Sequence, residues 1–125
     1  MSKKIKTASA PAAIGPYTQA IVSGNLVFTS GQIPLSPVSG SVEAKTVEGQ
    51  TEQVCKNLAA VLEAAGSSID RAVKTTCFLA DMADFAAFNE VYAQYFTSKP
   101  ARSCVAAKSL PRGVLVEIEV IAEIS

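Results

Sequence analysis

Apolar residues recur along this chain at two periods, and the switch between them marks its elements. Val54, Leu58, Val61, Leu62 and Ala65 fall three and four apart, which predicts a helix over Val47–Ala65 with one buried stripe. Thr46 suits its N-cap, Glu48 and Glu52 suit its positive first turn, and Gly66 suits its end. Phe85, Phe88, Tyr92 and Tyr95 or Phe96 give a second helix over Asp84–Phe96, capped by Asp81 or Asp84. An aromatic stripe of this kind reads as core before it reads as a cofactor box.

The other period is two. Val114, Val116, Ile118, Val120, Ala122 and Ile124 alternate with Leu115, Glu117, Glu119, Ile121 and Glu123, which predicts a long last strand. Arg71–Ala80 is β-branched and alternates, with Val73, Thr75, Cys77 and Leu79 on one face. Ala20–Ser30 reads as a hairpin turning at Ser23-Gly24-Asn25, Pro34–Gly40 as a loop, Ser103–Ala107 as a strand and Leu110–Gly113 as a turn. The order β-β, α, β, α, β-β predicts one α+β domain over residues 1–125, a mostly antiparallel sheet with two helices on one face. The fully apolar face of the last strand belongs under the helices. Its other face mixes Leu115 and Ile121 with three glutamates and suits a subunit interface holding a polar pocket.

Composition sharpens that expectation. The 125 residues carry 11 basic and 11 acidic side chains, so the formal charge is zero and no basic stripe points to nucleic acid or a membrane surface. Hydrophobic residues make up 49% and charged ones only 18%, an apolar balance that predicts self-association. No signal-like or membrane-spanning run is visible, so a cytoplasmic location is expected. Cys55, Cys77 and Cys104 are odd in number and far apart, which argues against a disulfide framework or a structural zinc site.

The chain has no histidine. That removes Ser-His-Asp and Cys-His catalysis and HExxH zinc chemistry, and no glycine-rich phosphate loop is present. Carboxylate, arginine, hydroxyl, thiol and backbone chemistry remain. Glu117 and Glu119 lie about 7 Å apart on one strand face, which fits paired carboxylates and equally a solvated face. Arg102 follows Pro100-Ala101 among small and apolar neighbours with no carboxylate nearby in sequence. Such a guanidinium suits a planar anion, and equally an ordinary surface or interface ion pair. A nucleophilic Cys104 needs a lowered pKa, and no base stands by to assist it.

Several segments together resemble the Rid (YjgF) family of reactive intermediate deaminases, also named L-PSP endoribonucleases. They are APAAIGPYTQA (residues 10–20), FTSGQIP (28–34), VKTTCFLADMADFAAFNEVYAQYF (73–96), PARSCVA (100–106) and VEIEVIA (116–122), and they span nearly the whole chain. The resemblance implies a chorismate mutase-like fold of the bacterial type, assembled as a homotrimer. Its sheets would form an inner barrel, with pockets between subunits. It implies a deaminase without cofactor or metal, acting on 2-imino acids and their enamine tautomers. Family positions map onto Tyr17, Ser30, Gly31, Asn89, Arg102, Cys104 and Glu117, with Arg102 gripping the substrate carboxylate and marking the deaminase-competent group. Glu117 would handle the attacking water, the Cys104 backbone the imine nitrogen, and Tyr17 would cover the pocket. The segment between Phe96 and Pro100 is shorter than in some relatives, which bears on pocket size. The older endoribonuclease reading and a non-catalytic 2-oxo acid-binding or chaperone-like module are the alternatives. Neutral charge and the missing histidines weigh against the former.

Overall fold

The helical stripe folds as α1 (Val47–Ala64), with Val54, Leu58, Val61 and Leu62 fully buried. Burying each such side chain contributes roughly 1.5–3 kcal/mol. Thr46 Oγ1 accepts from the Gly49 N–H at 3.1 Å as N-cap, and Gly66, at φ +83°, follows the last turn. Glu52 lies past the first turn and pairs instead with Lys56 at 3.3 Å. The second helix, α2 (Phe85–Tyr95), is shorter than its stripe. A 3-10 turn, Met82–Asp84, precedes it, and Asp81 caps that turn at 2.8 Å while Asp84 makes no cap bond.

This computed structural model describes residues 2–124. Met1 and Ser125, the ends of the expected domain, lie outside the described residues. Six strands form one sheet: β1 (Ser2–Ile5), β2 (Ala20–Ser23), β3 (Leu26–Thr29), β4 (Ala72–Leu79), β5 (Ala101–Ala106) and β6 (Val116–Glu123). Their spatial order is β1-β2-β3-β6-β4-β5, antiparallel throughout except for β4 with β5, which run parallel. The α+β class is as expected, with a mixed sheet. The parallel pair follows from α2, which carries the chain back along the sheet as a crossover.

Four local expectations change. β1 has no counterpart in the apolar pattern, because Lys3 and Lys4 occupy an edge strand, where charge blunts unwanted pairing. The hairpin loop is only Gly24-Asn25, with Gly24 at φ +62° in the first loop position. A bulge between Ala72 and Lys74 turns Val73 out to solvent, 40% exposed, so it leaves the face of Thr75, Cys77 and Leu79. β5 begins at Ala101, which brings Arg102 into the strand. β6 begins at Val116, because the Leu115 N–H is taken at 2.8 Å by Gln50 Oε1 of α1.

Register assigns the faces. Thr75 pairs with Arg102 and Val120, and Cys77 with Cys104 and Ile118, so these six side chains share one face. Both helices cover it, over a core that includes Val27, Leu58, Leu79, Phe88, Val116 and Ile118. The opposite face carries Phe28, Lys74, Thr76, Phe78, Val105, Glu117, Glu119 and Ile121, none of them fully buried.

Candidate active site

Arg102 leaves β5 on the helix side and lies over two rings of α2. Its guanidinium carbon is 4.7 Å from the Tyr92 ring centroid and 5.4 Å from that of Phe85. Cation–π contact holds the charge in place, and Nη1 donates to Asn89 Oδ1 at 2.7 Å, which fixes its rotation. Tyr92 is anchored in turn, its hydroxyl 2.7 Å from Thr75 Oγ1 inside the core. Among the described residues Arg102 makes no ion pair. It borders a cleft of about 540 Å³ with Asn89, Tyr92, Phe96, Lys99 and Pro100. A half-buried cation of fixed orientation, open to a cleft and lacking its own anion, is built to receive one.

Cys104 stands two residues on, on the same face. Burial pushes its thiol above the ordinary range, opposed by the charge of Arg102, and this direction does not suit a thiolate nucleophile. Its main chain is the useful part. The Ala107 N–H bonds Leu79 O at 2.9 Å, and parallel ladders alternate, so the amides of Arg102, Cys104 and Ala106 point away from β4 toward the open sheet edge. Cys55 and Cys77 are buried thiols, each pushed up to about 12 by burial first, and they pack as small apolar groups.

The remaining predicted residues gather elsewhere. Glu117 sits on the uncovered face, half-buried, with its carboxyl against Gly31. A Cβ at residue 31 would overlap that carboxylate, so only glycine allows the approach. Burial, and then the Glu119 charge, push the Glu117 pKa up. Ser30 is fixed beside them, its N–H bonding Gln19 O at 2.9 Å and its Oγ bonding Thr18 O. Tyr17 adjoins Thr18, 55% exposed, its ring 3.7 Å from the Cβ position of Gly15.

Within one chain the seven positions thus fall apart: Asn89, Arg102 and Cys104 lie on the helix side, Ser30, Gly31 and Glu117 meet on the uncovered face, and Tyr17 lines a separate cleft with Ile5, Thr7 and Gln19. Arg102 and Glu117 point to opposite faces and lie on strands separated by β4, about 10 Å apart across the sheet. One small substrate cannot touch both within one protomer.

Several positioning residues escaped the sequence reading. The Gln19 side chain is buried and holds the segment before Tyr17, accepting from the Thr7 N–H at 2.7 Å and donating to Thr7 O at 3.1 Å and Pro11 O at 2.8 Å. Asn57 of α1 donates to Ile33 O at 3.2 Å and Leu35 O at 3.0 Å, pinning the chain just beyond Gly31. A signal for Asn57 existed: a polar residue in phase with the buried stripe of α1. Tyr92 was legible only as core, and it serves as both core and platform. Among the described residues no cluster of three or more His, Cys, Asp or Glu side chains is placed to hold a metal, and no helix is long and apolar enough to cross a membrane.

The family profile described as Endoribonuclease L-PSP matches residues 7–124. A Lactococcus lactis protein named as a candidate regulator, AldR, is 50% identical over 98% of both chains. The 2-iminobutanoate/2-iminopropanoate deaminase of Salmonella typhimurium is 49% identical, again over 98% of both. The crystal structure of Escherichia coli TdcF with bound serine superposes with a TM-score of 0.93 at 46% identity, covering 98% of this chain and 99% of that one. On a match of this breadth, across sequence and fold together, the chain belongs to the L-PSP endoribonuclease family, known also as Rid or YjgF.

Proposed function

We propose that this protein hydrolyses 2-imino acids to 2-oxo acids and ammonia. The observation that carries the reading is Arg102, a guanidinium fixed by Asn89, Tyr92 and Phe85 at the edge of a cleft, with no carboxylate paired to it among the described residues. Two parallel N–H···O bonds to a substrate carboxylate set the plane of the adjoining C=N group. The outward Cys104 amide lies two residues along the same strand, within reach of the imine end. Water adds to the imine carbon, the C=N bond becomes C=O, and the nitrogen leaves as ammonia after taking up the proton. Glu117, whose pKa burial and the Glu119 charge push upward, is the carboxyl that carries that proton. The deaminase named among the relatives supports the substrate class.

Because Arg102 and Glu117 face opposite ways, the complete site takes one group from each of two copies. A homotrimer with pockets between subunits fits that requirement, and so does the apolar part of the uncovered face, Phe28, Phe78, Val105 and Ile121. The family name also carries the endoribonuclease reading, but the neutral chain offers no basic track for a phosphate backbone.

The test is release of 2-oxobutanoate in an assay coupled to threonine dehydratase. Wild type accelerates release and Arg102→Ala loses the acceleration while its oligomeric state is kept. Equal rates for the two proteins would sink the mechanism. Saturable 2-oxo acid binding with no imine turnover would favour a binding module instead.

A further inference from the structure

The Arg102 cleft holds a second cation that the deaminase reading leaves without a role. Lys99 lines the same cleft, three residues before Arg102, so their Cα atoms lie at most about 10 Å apart. Among the described residues its ammonium has neither an ion pair nor a hydrogen-bond partner. Among the described residues, the one acid hydrogen-bonded to a lining side chain is the exposed Asp70, whose Oδ1 accepts from Thr97 Oγ1 at 3.4 Å. In a chain of zero net charge, this cleft therefore carries two cations and, among the described residues, no anion paired with either.

The backbone makes the lysine conspicuous. Lys99 has φ +56°, one of two non-glycine residues with positive φ among those described. Glycine or asparagine adopts that region more cheaply, and the following Pro100 restricts the residue further. Strained residues of this kind cluster at ligand clamps. The local fold does not require a lysine side chain here: its bond from the Lys99 N–H to Phe96 O, at 3.2 Å, is a backbone contact that glycine makes equally.

We infer that Lys99 is a specificity residue that selects imino acids with a second carboxylate, the dicarboxylic class derived from acidic amino acids. This deepens the deaminase reading and rests on it. Arg102 takes the carboxylate beside the imine carbon. The side-chain carboxylate extends along the wall formed by Tyr92, Phe96 and Pro100 toward the lysine, whose four-carbon stem lets the ammonium meet it. The cleft volume of about 540 Å³ exceeds what a four-carbon monocarboxylic acid fills, and leaves room for the longer chain.

Calorimetry on the full-length protein tests this with two product acids, 2-oxoglutarate and 2-oxobutanoate. Wild type binds 2-oxoglutarate more tightly. In Lys99→Gly the ratio of the two affinities falls about tenfold, the size of one charge-assisted hydrogen bond at an open site. Added salt shrinks the wild-type ratio, as screening of an exposed charge requires. Lys99→Gly also melts no lower than wild type, which separates lost recognition from lost folding. A ratio near one in wild type, or a ratio that Lys99→Gly leaves in place, overturns the inference even where 2-oxobutanoate binds and its imine is hydrolysed. If neither acid binds and no imine is turned over, the inference falls together with the deaminase reading.

Discussion

On the proposed deaminase reading, Glu117 is the residue at which stability and chemistry pull in opposite directions. Its carboxyl lies against the Gly31 backbone, half-buried, and burial together with Glu119 raises its pKa. A carboxyl whose pKa is higher in the folded state holds its proton more tightly there. Its contribution is thus most favourable below the unfolded value of about 4.3, and becomes a penalty as pH rises through the folded value. Glu117→Gln removes that penalty. Thermal melts are expected to show the variant more stable than wild type at pH 7 and level with it near pH 3, while imine turnover is lost at both. A variant less stable than wild type at pH 7 would show that the carboxylate is well solvated or paired, and unsuited to proton transfer. Arg102 presents the opposite case: its charge is satisfied in part by ring faces and an amide, which leaves its other N–H groups free for a ligand.

At the level of elements, the helices and the interior strands were legible because each buries one face and writes a period into the chain. α1 matched its stripe to within one residue at the C-terminal end, and β6 kept its alternation from Val116 to Glu123. The edges were not legible in the same way. β1 is polar because an edge strand buries little, and β5 alternates weakly because it has a partner on one side only. The Val73 bulge was invisible, since an extra residue in a strand leaves no mark on hydropathy. The site divides along the same line. Arg102 and Glu117 were identifiable as residue types in a motif. Their opposite facing follows from the parallel pairing of β5 with β4, a long-range fact that no local pattern encodes. Gln19 and Asn57 act through side-chain bonds to distant backbone, so only the fold reveals them.

For the whole molecule, a shared site makes a prediction that a self-contained site does not. Arg102→Ala and Glu117→Gln each disable a different half. Copies of the two variants, unfolded and refolded together, form mixed oligomers in which some interfaces pair an intact Arg102 with an intact Glu117. Random mixing places an intact pair at about a quarter of interfaces in a closed ring, so the mixture should recover about that fraction of wild-type turnover in the coupled assay. Silence from the mixture, with mixed oligomers present by native mass spectrometry, would confine the site to one chain.

The alternation along β5 also supplies a clock by which the proposed assembly can be followed. The amides of Ser103, Val105 and Ala107 are tied to β4, whereas those of Arg102, Cys104 and Ala106 face the free edge. In an isolated protomer, hydrogen–deuterium exchange across this strand should therefore run in two speeds, fast and slow at every other residue. When copies associate and a substrate analogue enters, the Cys104 amide should pass from the fast set to the slow one while Ala106 lags behind. An amide at residue 104 that exchanges at one rate throughout would mean that the main chain there never meets a ligand.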